Sequence, residues 1–244
     1  MNALSIVILT YNSEKHLPEV LRSASFAGEV LILDGGSTDR TLEIAGNAGV
    51  RIESQTEWLG FGRQKQRAVA LARHDWVFVL DSDEVIEPSL RQELIETLRH
   101  PEHAGYRVPR LNHFFGRPIR HGGLYPDATL RLFDRRRGGF TPDAVHERIV
   151  VEGSVGHLKH WMKHYAYDTV EEFIAKQNRY STLGARPNRF KAIFNPWWTF
   201  FRMYVIKRGF LDGWHGFVIA GLYSQYTFWK YIKSSGVPVS PGEN

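Results

Sequence analysis

The segment FVLDSDEVI, residues 78–86, begins as a buried strand and ends in a cluster of acids. Phe78, Val79 and Leu80 form the continuous apolar run found in strands covered on both faces of a parallel sheet. Asp81, Asp83 and Glu84 then crowd negative charge at the strand's carboxyl end. Ligands of open parallel sheets bind beyond those ends, so the acids stand where chemistry is expected. If the extended conformation persists, Asp81 and Asp83 point to the same side and repel. A hard divalent ion, Mg²⁺ or Mn²⁺, shared with a diphosphate would relieve that repulsion. On spacing alone, a helix cap at Ser82 or Asp83 with Asp81 facing water explains the segment too. Glu84 reads as a solvent-facing or capping residue.

Working outward, short apolar runs alternate with amphipathic stretches through the first 100 residues, which predicts βαβ units around a mostly parallel sheet. Strands are expected at Leu4–Leu9, Val30–Leu33, Arg51–Glu53 and Trp76–Leu80. Leu17, Val20, Leu21 and Ala24 keep helical spacing, as do Leu90, Leu94 and Leu98 after Pro88, a residue suited to a helix start. The strand ends are polar: Thr10, Tyr11 and Asn12 follow the first, and Asp34, Gly35, Gly36, Ser37, Thr38 and Asp39 follow the second. LDGGSTDRT lets backbone approach a nucleotide closely, yet it is neither a Walker loop nor GxGxxG.

From Gly105 to about Tyr165 the pattern changes to strand-like pieces, YRVPR, LRLF and RIVVE, separated by turns, which predicts an antiparallel region. Thr169 and Glu172 make a capping box for a helix running to roughly Ala185. The tail from Phe194 to Tyr231 holds 14 of the chain's 32 aromatic residues in 38 positions. Charged and polar residues interrupt every window, so two amphipathic helices around RGFLDG, 208–213, are expected instead of a membrane span. Such a pair suits either a membrane interface or packing on the domain.

The chain of 244 residues is long enough to bury a sizeable core and contains no cysteine, which removes disulfides, thiol nucleophiles and cysteine-ligated zinc. LSIVIL near Met1 reads as a core strand, so a cytoplasmic protein without a secretory leader is expected. Residues 1–106 carry 10 Lys+Arg against 16 Asp+Glu, and residues 107–244 carry 21 against 10. The second half is therefore expected to meet something anionic. Arg131, Arg135, Arg136, Arg137, Lys159 and Lys163 are candidates for phosphate contacts, with solvated loop charges the simpler account of the Arg run. Nucleic acid is not the expected partner, because the aromatics cluster away from that run and no recognisable binding module is present.

TYN, LDGGSTDRT, the GFGRQKQRAVALA helix and VFVLDSDE, in this order and spacing, resemble family 2 glycosyltransferases of the GT-A fold over roughly residues 3–100. PDAVHERI, KHYAY and RGFLDGW extend the similarity to the inner-core lipopolysaccharide glucosyltransferases, which move glucose from UDP-glucose to a heptose. The resemblance implies an α/β GT-A domain over 1–165, with a nucleotide-sugar half at 1–100 and an acceptor half at 101–165. A helical extension over 166–235 and a disordered tail complete the expected division. It also implies a UDP-sugar donor, with Asp83 binding the metal and Asp81 supporting ribose and metal within Asp81-Ser82-Asp83. Thr10, Tyr11, Asn12 and Asp34 would line the nucleoside pocket, with Lys65 near the donor and Glu147 as catalytic base. His146 is an alternative base or phosphate contact, and His164 a candidate metal or diphosphate ligand. Gly35 and Gln66 depart from the family's usual acidic residue and Asn. A phosphorylated glycolipid acceptor at the anionic inner face of the inner membrane would account for the basic, aromatic second half.

Overall fold

The computed structural model describes residues 3–57, 60–141 and 148–233. The chain forms two compact units. One takes the chain as far as Arg110 and then Asp127–His164, and the other takes Leu111–Pro126 and everything from Tyr165 onward. Residues 111–126 thus cluster with the C-terminal helices and apart from their sequence neighbours.

The first unit starts as the hydrophobic pattern requires. Strands β1 (Leu4–Thr10), β2 (Glu29–Asp34), β3 (Arg51–Ser54) and β4 (Trp76–Asp81) are joined by helices α1 (Leu17–Ala24), α2 (Thr41–Asn47) and α3 (Phe61–Leu71). The four strands are parallel, in the order β3-β2-β1-β4. β1 and β4 are buried along almost their whole length, as unbroken LSIVIL and WVFVL require when both faces are covered. Leu17, Val20, Leu21 and Ala24 of α1 are all buried, so the predicted stripe is the packed one. Val7, Leu31, Val77, Val79, Ala68, Val69 and Phe133 form one core cluster, each large side chain contributing roughly 1.5–3 kcal/mol on burial.

After β4 the chain turns at Ser82 and Asp83 into a three-residue strand, β5 (Glu84–Ile86), and then α4 (Pro88–Thr97). The condition that would align Asp81 with Asp83, an extended chain through both, is not met, because the strand ends at Asp81. The antiparallel region comprises β6 (Gly105–Phe114), β7 (Arg117–Pro118), β8 (Asp127–Asp134), β9 (Gly138–Phe140), β10 (Ile149–Val151), β11 (Val155–His157) and β12 (Met162–Tyr167). β8 lies antiparallel to both β4 and β6, and Met162–His164 of β12 run antiparallel to β5. β11 is the exception, pairing in parallel with the start of β6.

The second unit is built on α5 (Val170–Leu183), α6 (Arg189–Phe201) and α7 (Gly213–Ile232), with a π-helical stretch at Arg202–Ile206 and a 3₁₀ turn at Gly209–Asp212 between the last two. The Thr169 side chain accepts from Glu172 N, while the Glu172 carboxylate accepts from Asp168 N, closing the start of α5. Phe114, Ile119, Tyr167, Phe173, Met203 and Ile219 form its core. Among the described residues no helix is long and apolar enough to cross a membrane.

Candidate functional site

Thr10, Asp34 and Asp81 end three adjacent strands, with Thr10 opposite Asp34 and Leu9 opposite Asp81 in the parallel register. The polar loops predicted to bind a ligand therefore share one sheet edge. Asp34 is buried, and it organises this edge. Its carboxylate accepts from Thr10 Oγ1 (2.8 Å), Ser37 Oγ (2.6 Å), Gly36 N (2.9 Å) and Ser37 N (2.8 Å). Desolvation opposes its ionisation, but these donors outweigh it and hold the carboxyl below its usual value.

Asn12, in the left-handed region at φ 47°, accepts from Thr38 N through Oδ1 (2.8 Å), and its own N–H donates to Ser37 Oγ (2.9 Å). The loops after β1 and β2 are thereby locked together, while the Tyr11 ring is 65% exposed beside them. Ser13, which the sequence did not single out, hydrogen-bonds Ser82 Oγ at 3.0 Å and connects the first loop to the Asp81-Ser82-Asp83 turn.

Charge compensation at that turn comes from within the chain. Asp81 faces Lys65 Nζ at 3.1 Å and Arg131 Nη2 at 2.6 Å. Burial raises the Asp81 pKa, but the attraction of Arg131 and Lys65 dominates and keeps the carboxylate ionised far below the usual range. Arg131 also reaches Glu84 at 2.6 Å, and Arg110 reaches Glu84 at 3.2 Å while pairing with Asp127. Glu84 Oε2 accepts from Asp81 N at 3.0 Å.

Two expectations are corrected here. Glu84 is neither solvent-facing nor a helix cap: it is 0% exposed, because it begins β5 opposite His164 and two arginines neutralise it. Arg131 is neither a solvated loop charge nor a free phosphate contact, because β8 carries it into the sheet against Asp81 and Glu84. Its neighbours in the Arg run are also engaged. Arg135 donates to the carbonyls of Val69 and Ala70, and Arg136 pairs with Asp134 and Asp75. Lys163 meets Glu19 at 3.2 Å. Gln66 accepts from Phe140 N, so this departure from the family pattern holds β9 onto α3.

Asp83 points elsewhere. Its carboxylate, about one-third exposed, faces His164 Nε2 at 3.6 Å. Among the described residues no group of three or more His, Asp and Glu is arranged to enclose a metal. A Mg²⁺-type ion carried by a diphosphate needs only one or two protein carboxylates, its remaining positions going to phosphate oxygens and water. Asp83 and His164 fit that demand as an oxygen and a nitrogen donor facing each other, with Asp81 held alongside. His146 and Glu147 lie outside the described residues.

A sequence model described as Glycosyl transferase family 2 matches residues 5–154, which contain the loops after β1, β2 and β4. The chain belongs to glycosyl transferase family 2. Among curated members it is 33% identical over 240 residues to the lipopolysaccharide core biosynthesis glycosyltransferase LpsC of Rhizobium meliloti (strain 1021), covering 92% of this chain and 89% of that protein. It is 25% identical to an uncharacterized glycosyltransferase of Rickettsia bellii (strain RML369-C), over 94% of this chain and 85% of the relative. Among solved structures, a crystal structure of S. aureus TarS matches with a TM-score of 0.50 and 16% identity, over 85% of this chain and 45% of that one. The last similarity bears on the fold alone. The family 2 transferase has the α/β GT-A architecture expected from its sequence, a parallel nucleotide-type half followed by antiparallel strands and C-terminal helices.

Proposed function

We propose that this family 2 glycosyltransferase is a divalent-metal-dependent, inverting enzyme. It moves a hexose, glucose from UDP-glucose, onto a lipid-anchored saccharide such as an inner-core heptose of lipopolysaccharide. The observation that carries the reading is the division of labour at the turn after β4. Asp81 is kept ionised by Lys65 and Arg131, whereas Asp83 leaves its carboxylate open opposite His164. The bound Mg²⁺ or Mn²⁺ would offset the charge developing on the departing diphosphate. Tyr11, exposed at the end of β1, is placed to contact the nucleoside, and the Thr10–Asp34–Asn12 lattice holds its loop in position.

Glu147 is the proposed base. It takes the proton of the acceptor hydroxyl, the oxygen bonds to the anomeric carbon, and the bond to UDP breaks with its electron pair leaving on the β-phosphate. Attack opposite the leaving group inverts the anomeric centre, and one carboxylate suffices, unlike the pair needed for retaining glycoside hydrolysis. General-base help of this kind is worth roughly 10²–10⁴ in rate. The similarity to LpsC and the cationic second half support a phosphorylated glycolipid acceptor met at the inner face of the inner membrane.

The test combines purified protein, labelled UDP-glucose, Mn²⁺ or Mg²⁺ and heptose-terminated core oligosaccharide. Transfer with inverted anomeric configuration, abolished by EDTA and by Asp83→Ala and crippled by Glu147→Gln, is expected. Transfer unaffected by either substitution, or none across a panel of UDP-sugars, would overturn the proposal.

A further inference from the structure

Helix α6 turns most of its large apolar side chains outward. Toward α7 and the core it presents the buried Ala192 and the half-buried Pro196 and Thr199, with Phe200 the one large apolar side chain turned inward. Outward it presents Phe190, Phe194, Trp197, Trp198 and Phe201, and Trp214 at the start of α7 adds to them. Trp197 is 77% exposed and Trp214 72%. A helix stabilised by burial in water does the reverse, turning its apolar stripe to the core.

The seam between α6 and α7 combines hydroxyl hydrogen bonds with the edge-on contact of Phe200 and Phe217, their ring centroids 5.5 Å apart. Ser224 donates to the Pro196 carbonyl at 2.8 Å, and Thr199 and Thr227 share a hydrogen bond at 3.3 Å. Small residues and hydroxyl bonds within the seam, with most of the bulky apolar side chains outside it, resemble the way helices associate in lipid.

Charge selects the occupant of this face. Residues 186–232 contain seven Lys and Arg and a single acid, Asp212. That acid is spent inside the unit, accepting from His121 N at 2.8 Å and facing His121 Nδ1 at 3.0 Å. Arg186, Arg189, Lys191, Arg202, Lys207 and Arg208 are all exposed. A second copy docked here would set cation against cation, whereas an anionic lipid surface attracts each one. Residues 234–244 offer only two valines as apolar cover, too few for this aromatic face.

We propose that α6 and the start of α7 form a wedge that enters one leaflet without crossing it. The aromatic face lies among the acyl chains, and the flanking Arg and Lys side chains bind anionic headgroups. This deepens the membrane placement proposed above and rests on it.

The test is flotation of the full-length chain with vesicles of phosphatidylcholine alone or mixed equally with phosphatidylglycerol. Wild type is expected to float with the mixed vesicles and to favour them over phosphatidylcholine. Trp197→Ser with Trp214→Ser should weaken partitioning at least about tenfold. Lys191→Glu with Arg202→Glu should erase the preference for phosphatidylglycerol, with unchanged circular-dichroism melting for both variants. Wild type remaining at the bottom with both vesicles overturns the wedge, as does unaltered flotation of the Trp variant or sedimentation as a dimer that the Trp variant abolishes. The same preparations are assayed for transfer to lipid-free oligosaccharide. Transfer without flotation removes the wedge alone, and flotation without transfer removes the enzymatic reading alone.

Discussion

The edge of the parallel sheet and the α6–α7 hairpin break the same packing rule in opposite directions. At the sheet edge the chain buries charge, placing Glu84 and Arg131 where water hardly reaches, with the half-buried Asp81 against them. In the hairpin it exposes aromatic surface that a soluble core would hide. The first departure is answered internally, because each carboxylate meets a guanidinium or ammonium from another element. The second finds no internal answer among the described residues. A violation satisfied within the chain supports a site, whereas an unsatisfied one marks a surface made for something outside it.

Substitutions can separate these cases. The largest stability effect is expected from Arg131→Met, which leaves Glu84 buried with Arg110 alone and Asp81 with Lys65 alone. Breaking a buried pair in this way costs about 3–5 kcal/mol, readable as a lower urea midpoint. Asp83→Ala should behave oppositely, with unfolding within about 0.5 kcal/mol of wild type. Its transfer rate should fall at least ~10²-fold, about 2.7 kcal/mol in barrier.

Asp34→Asn is expected to cost about 1–3 kcal/mol at neutral pH, since Gly36, Ser37 and Thr10 donate to an ionised carboxylate. The folded-state pKa of Asp34 is depressed, so its contribution is complete above the unfolded value of about 3.9 and is lost as the pH falls below it. The difference between wild type and Asp34→Asn should therefore shrink in urea titrations run at progressively lower pH. Smallest is Trp197→Ser, expected to move stability by no more than about 0.5 kcal/mol because the ring is already in solvent. A large destabilisation there would mean that the hairpin packs as an ordinary core.

Much of the fold was legible where its signals are local. LSIVIL and WVFVL announce buried strands, the 17-20-21-24 spacing announces α1, and Thr169 with Glu172 announces the start of α5. The Glu84–Arg131–Arg110 network was not legible. Its members are separated by 26 and 47 positions and meet only through antiparallel register, while EVI is too short to show a period. One cue was present: Arg131 stands between leucines in LRLF, and a strand covered on both faces must take such an arginine into the interior. The aromatic richness of the tail was visible in the sequence, but composition leaves open which residues share a helix face and which way that face turns. Packing decides this, and here Ala192, Pro196, Thr199 and Phe200 took the inner side.

Between Gly209 and Gly216 the two chain segments come so close that a methyl group on Gly216 would collide with the Gly209 carbonyl. Backbone rests directly on backbone, with no rotamers between them to adjust. Gly209 in turn sits close to the Met203 carbonyl, so the 3₁₀ turn is wedged between the end of the first helical segment and the start of α7 like a fixed joint and not a hinge. If the aromatic blade enters lipid, it does so without flexing at its root, so the depth of entry and the orientation of the second unit against the bilayer are a single mechanical quantity. An alanine at Gly216 would prise the joint open and change both together.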